Sequence, residues 1–79
     1  MKIDKSSATK ILTKYGMNDT KVNEWLKTFN QIIDLREEER VSIPLYTGAY
    51  YALSLYIAEP DLRSDAAVEI VSEIEYQMV

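Results

Sequence analysis

Apolar residues recur along this chain with the 3.6-residue period of an α-helix, while strand-like alternation is weak throughout. Ala8, Ile11, Leu12 and Tyr15 fall at i, i+3, i+4 and i+7, which predicts a first helix over 7–15. Ser6 or Ser7 can accept a bond from a free backbone N–H and cap its start. Gly16 follows at the position where left-handed backbone ends a helix at little cost. Val22, Trp25, Leu26, Phe29, Ile32 and Ile33 form a second stripe and the strongest periodic signal in the chain. They predict a helix capped by Asn18 or Asp19 and running to about Glu37. Its next two stripe positions, Arg36 and Glu37, are polar, so its buried part should end near Ile33. Glu37, Glu38 and Glu39 oppose the dipole at a helix C-terminus and read as a frayed end or a solvated linker.

The third predicted helix spans 44–58, with Pro44 in its first turn. It carries two stripes: Leu45, Ala49, Ala52 and Tyr56, and then Tyr46, Tyr50, Leu53 and Ile57. A helix apolar on two faces needs neighbours on both sides, and a short chain has few to offer. Gly48, Ala49 and Ala52 would admit a close partner helix, so this segment is expected to pair with a second copy, giving a homodimer. Tyr46, Tyr50 and Tyr51 are its expected interface residues, since Tyr is enriched at interfaces. Glu59 and Pro60 are expected to end it. A fourth helix should begin at Ser64 or just before and run to the end. Ala67, Ile70, Val71, Ile74 and Met78 would face inward, with Asp65, Glu69, Glu73 and Glu75 outward.

These elements predict an all-α fold: a small compact bundle of about four helices with an N-terminal helix-turn-helix-like pair. At 79 residues the chain is expected to be a single domain, with that pair over 6–35 and a Tyr-rich helix plus an acidic helix over 41–79. A composition of 47% hydrophobic and 28% charged residues supplies enough apolar material for a core.

The chain has no Cys and no His. That excludes disulfides, thiolate nucleophiles, Cys/His zinc sites and His-based catalytic dyads or triads, and it argues for a binding protein rather than an enzyme. No Gly-rich phosphate loop or calcium loop occurs, so no cofactor and no metal is expected. Glu69 and Glu73 stand four residues apart, but on so small a fold they read as a solvated face rather than an acid/base pair. Trp25 and Phe29 lie on the core stripe and read as core rather than as a stacking platform for bases.

Net charge is −4, unevenly spread. Residues 1–33 hold six Lys against Asp4, Asp19 and Glu24, whereas residues 41–79 hold only Arg63 against six carboxylates. Opposite signs in the two halves point to two surfaces with different tasks. The stretch 41–58 is uncharged, yet with Pro44, Gly48 and four Tyr it is too short and too polar to span a bilayer. The N-terminus has no apolar segment of signal-peptide type, and a cytoplasmic location is expected.

One segment carries a functional pattern. Residues 10–27 read KILTKYGMNDTKVNEWLK. Ile11 and Tyr15 supply the inner face of a first helix, Gly16 a turn, and Met17 an apolar residue directly after it. Asn18, Asp19 and Thr20 supply a polar capping triplet, and Val22 and Trp25 the inner face of a second helix. This arrangement resembles the helix-turn-helix of bacterial and phage DNA-binding regulators. The resemblance covers these 18 residues alone. It implies a transcriptional regulator of phage or mobile-element type whose second helix enters the major groove of double-stranded DNA. Asn18, Thr20, Lys21, Asn23, Glu24 and Lys27 would then face base edges, and Lys10 and Lys14 on the first helix would neutralise phosphates.

The acidic C-terminal helix supports an alternative. It could be the working face of a protein-binding inhibitor that occupies a basic nucleic-acid site, as anti-CRISPR or anti-restriction proteins do, or of an antitoxin. Glu69, Glu73, Glu75 and nearby Tyr76 would imitate phosphates and bases for a protein partner with a basic surface. A third possibility is an assembly subunit that docks to other copies through its third helix.

Overall fold

The computed structural model describes residues 3–38 and 43–78, apart from the side chain of Met78. Among these residues the fold is all-α, in the order α1 (Lys5–Leu12), a 3-10 turn (Thr13–Tyr15), α2 (Asp19–Glu38), α3 (Leu45–Leu53) and α4 (Pro60–Met78). Glu39, the end of the predicted acidic run, lies outside the described residues.

Each helix packs on two others. α1 lies against α2 and α4, and α3 lies against α2 and α4, so α2 and α4 stand across the bundle from each other. The extents of 33 × 24 × 21 Å leave room for two helices by two, at about 10–12 Å per helix. One core unites all four. Trp25 and Phe29 stack at its centre with ring centroids 4.9 Å apart and an interplanar angle of 13°. Leu12, Ile33, Leu53, Ile70 and Ile74 belong to the same core and are fully buried. Ile3 and Ala66, which lie off the predicted stripes, are also buried.

Several predicted boundaries move, each for a local reason. α1 begins at Lys5 because Asp4, not Ser6 or Ser7, is its cap: Asp4 Oδ1 accepts from the Ser7 N–H at 2.7 Å. α2 continues to Glu38, with Asn18 Oδ1 accepting from the Lys21 N–H at 2.9 Å at its start. α3 stops at Leu53, five residues short of the predicted end at Ala58. There the Ser54 N–H turns to the Tyr51 carbonyl at 3.1 Å, and the Ser54 hydroxyl donates to the same oxygen at 2.6 Å. The connection to α4 is tied down by Arg63, whose Nε donates to Ile57 O at 2.9 Å and Nη2 to Ala58 O at 3.1 Å.

α4 correspondingly starts four residues before Ser64. Pro60 opens it rather than ending α3, and the Arg63 N–H bonds to Glu59 O at 2.9 Å. Proline at the first helical position loses no bond, because its missing N–H would have been an orphan there.

The small residues of α3 are also used within the chain. Gly48, Ala49 and Ala52 are buried. A Cβ on Gly48 would stand 3.1 Å from Ile32 Cγ2, so this glycine lets α3 approach α2 rather than a second copy. α2 and α4 lie against α3 and bury Ala49, Ala52 and Leu53, while Tyr46 stays exposed and Tyr50 half-buried.

Candidate nucleic-acid interface

The α1–turn–α2 segment is built as its sequence suggests. Gly16 adopts φ 88° and ψ 8°, the left-handed region in which a side chain would be strained. The Gly16 N–H bonds to Thr13 O at 3.1 Å and the Met17 N–H to Leu12 O at 3.3 Å. This pair of bonds is a Schellman stop, and buried Met17 and Leu12 supply its usual apolar contact. Asn18 then caps α2, so its side-chain oxygen is engaged in folding.

Thr20, Lys21, Asn23, Glu24 and Lys27 are all exposed, as a reading surface requires. Helical spacing sorts them. Thr20, Glu24 and Lys27 form the outermost strip, opposite buried Val22, Trp25, Phe29 and Ile33. Gln31 continues that strip one turn on and is also exposed. The spacing 20, 24, 27, 31 could have identified it. Asn23 flanks the strip on the side of Asp19, to which its amide donates at 3.5 Å, and Asp19 pairs with Lys5 at 3.4 Å. Glu24 contributes to raising the Tyr56 pKa, after burial of that hydroxyl, so it lies towards the end of α3.

Lys10 and Lys14 do not join this surface. With Ser6, Ser7, Ile11 and Glu73 they line a groove of about 380 Å³ between α1 and α4. Lys14 Nζ pairs with Glu69, and the Tyr15 hydroxyl donates to the other oxygen of the same carboxylate. The Lys14 and Tyr15 hydrogen bonds hold the Glu69 carboxyl below its ordinary value against the opposing effect of burial. Tyr15 is pushed up to about 12, first by its bond to Glu69 and then by burial and the charges of Glu69 and Asp65. Glu73 accepts from Ser7 Oγ at 3.3 Å and Gln77 Nε2 at 3.2 Å. Glu69 and Glu73, expected on the outer side of α4, are therefore half-buried against α1. Asp65, Glu75 and Tyr76 remain outward.

The tyrosines of α3 divide similarly. The Tyr46 hydroxyl is 2.8 Å from Ser64 Oγ. Tyr50 is half-buried beneath the Arg63 guanidinium, whose carbon lies 5.1 Å from the ring centroid. Only Tyr51 of the three is mainly outward, at 66% exposure. Arg63 was not singled out from the sequence. Its standing as the sole cation of residues 41–79 was the available signal.

Among the described residues no group of acidic side chains is placed to hold a metal ion, and no helix is long and apolar enough to cross a membrane. Comparison of the chain with protein-family models, with curated proteins and with solved structures finds no match.

Proposed function

We propose that this chain is a small helix-turn-helix regulator that binds double-stranded DNA through the outer strip of α2. The observation that supports this most is the strip itself. It sits on a 20-residue helix set by a Schellman stop and an Asn cap, with α1 and α3 along its flanks and acidic α4 across the bundle. In such a geometry the second helix lies in the major groove. Lys27 would donate to guanine acceptors, Gln31 would bond adenine bidentately, and Thr20 would contact a neighbouring base edge. Lys21 flanks the strip and would meet phosphate. Lys10 and Lys14 lie on another face, so the electrostatic part of binding comes from few cations.

That count makes the reading testable. With Lys21 and Lys27 as the contacting cations, the logarithm of affinity should fall with the logarithm of salt at a slope of about −1.8; four Lys would give about −3.6. Fluorescence anisotropy on duplex fragments of the source genome measures both affinity and slope. Lys21→Glu with Lys27→Glu should abolish binding, and Gln31→Ala should relax preference at one base pair. Unchanged binding by the double reversal would end this proposal.

A second reading has its own support. On α4, Val68 and Tyr76 are exposed beside outward Asp65 and Glu75, a mixed apolar and acidic face suited to a protein partner with a basic surface. Charge reversal at Asp65 and Glu75 would disrupt that complex and leave DNA binding intact.

A further inference from the structure

A tyrosine-lined groove of about 400 Å³ crosses the outer side of α3 onto the first turn of α4. Tyr46, Tyr50, Tyr51 and Pro60 form its walls, with Asp61 at the rim. The Tyr46 and Tyr50 rings are 5.9 Å apart, and Tyr51 meets Tyr50 edge-on at 5.8 Å and 89°. Two of the three rings are already fixed. Ser64 holds the Tyr46 hydroxyl, while Arg63 covers Tyr50 and donates to its hydroxyl at 3.3 Å. A ligand would therefore meet preformed aromatic surfaces and spend little free energy ordering them.

The lining selects the ligand's shape. A strand needs a sheet edge, and the described residues form no sheet. An extended polyproline II segment fits, because its prolines lie flat on aromatic rings and its carbonyls are free to accept bonds. Among the described residues the hydroxyls of Tyr51 and Thr47, both at the groove, have no partner and could donate to such carbonyls.

Charge selects the partner. Asp61 lines the groove, and exposed Glu59 adjoins Pro60 in the chain. Arg63, the nearby cation, is turned inward to Ile57 O, Ala58 O and Tyr50. A second copy docking here about a two-fold axis would set one acidic rim against another. We propose that this groove is a docking site for a proline-rich segment of a partner protein, with Arg or Lys beside its prolines.

The test is a two-dimensional ¹⁵N–¹H titration of the full chain with a synthetic proline-rich peptide carrying two Arg. Two control peptides replace Pro by Gly and Arg by Glu. Shifts should cluster at 45–51 and 60–64, with a dissociation constant of about 10–500 µM. Tyr51→Ala, at an exposed position, should weaken binding about tenfold or more. Both control peptides should bind more weakly, and Asp61→Lys should reverse the preference between the Arg and Glu peptides. No shift at about 1 mM peptide, or equal binding by the Gly peptide, would overturn the proposal. So would shifts confined to α2, or groove signals that move on dilution without peptide, which would make a second copy the occupant.

Discussion

Glu69→Gln keeps the shape of the side chain and removes its charge from the clamp between α4 and α1. The Lys14 and Glu69 side chains are 58% and 35% exposed, so solvent screens their ion pair to about 0–1 kcal/mol. The Tyr15 hydrogen bond to the carboxylate is part-buried and contributes about 1 kcal/mol, below the range for fully buried charged bonds. Gln retains an acceptor for Tyr15, so the expected cost near neutral pH is about 1 kcal/mol.

The pH dependence follows from the two perturbed groups. The Glu69 pKa is lower in the folded chain than its ordinary 4.5. Its contribution is therefore full above that value and disappears as pH falls through the folded one. The Tyr15 pKa rises from 10.0 to about 12, so its contribution is full below 10 and is lost as pH climbs towards 12. The stability gap between the native chain and Glu69→Gln should be constant around neutral pH and close at both extremes. Urea unfolding followed by circular dichroism, at about pH 3, 7 and 11, measures it. A double-mutant cycle with Tyr15→Phe should return a coupling of about 0.5–1 kcal/mol at pH 7. An equal gap at pH 3 and pH 7, or no coupling, would show that the Glu69 carboxylate does not help to join α1 to α4.

Trp25 is fully buried and stacked on Phe29, so Trp25→Ala should cost about 3–5 kcal/mol and abolish the cooperative thermal transition of a domain this small. Because the small residues of α3 are buried within the chain, it should sediment as a monomer at about 100 µM, and a dimer at that concentration would show that Tyr51 and its surroundings pair with a second copy.

Much of the candidate interface was legible in the sequence because it depends on neighbours in the chain. The Gly16 stop, the Asn18 cap and the outward set Thr20, Lys21, Asn23, Glu24 and Lys27 follow from local bonding and a 3.6-residue period. The same locality misled at Ser6 and Ser7, where the cap of α1 is Asp4, and at Pro60, which opens α4 rather than ending α3.

Helix class, the inward stripes and the exclusion of Cys and His chemistry were thus determined by the sequence itself. Which helices touch was decided by the tertiary structure. Periodicity states that a face is buried but not what buries it, so the small residues of α3 suggested a second copy when their neighbour is Ile32 of α2. Charge counts have the same limit. Lys14 and Glu69 are 55 residues apart in the chain and looked like free charges of opposite surfaces, until packing α1 on α4 brought them into one clamp. Arg63 ties down the connection between α3 and α4 at shorter range, donating to Ile57 O and Ala58 O, six and five residues before it.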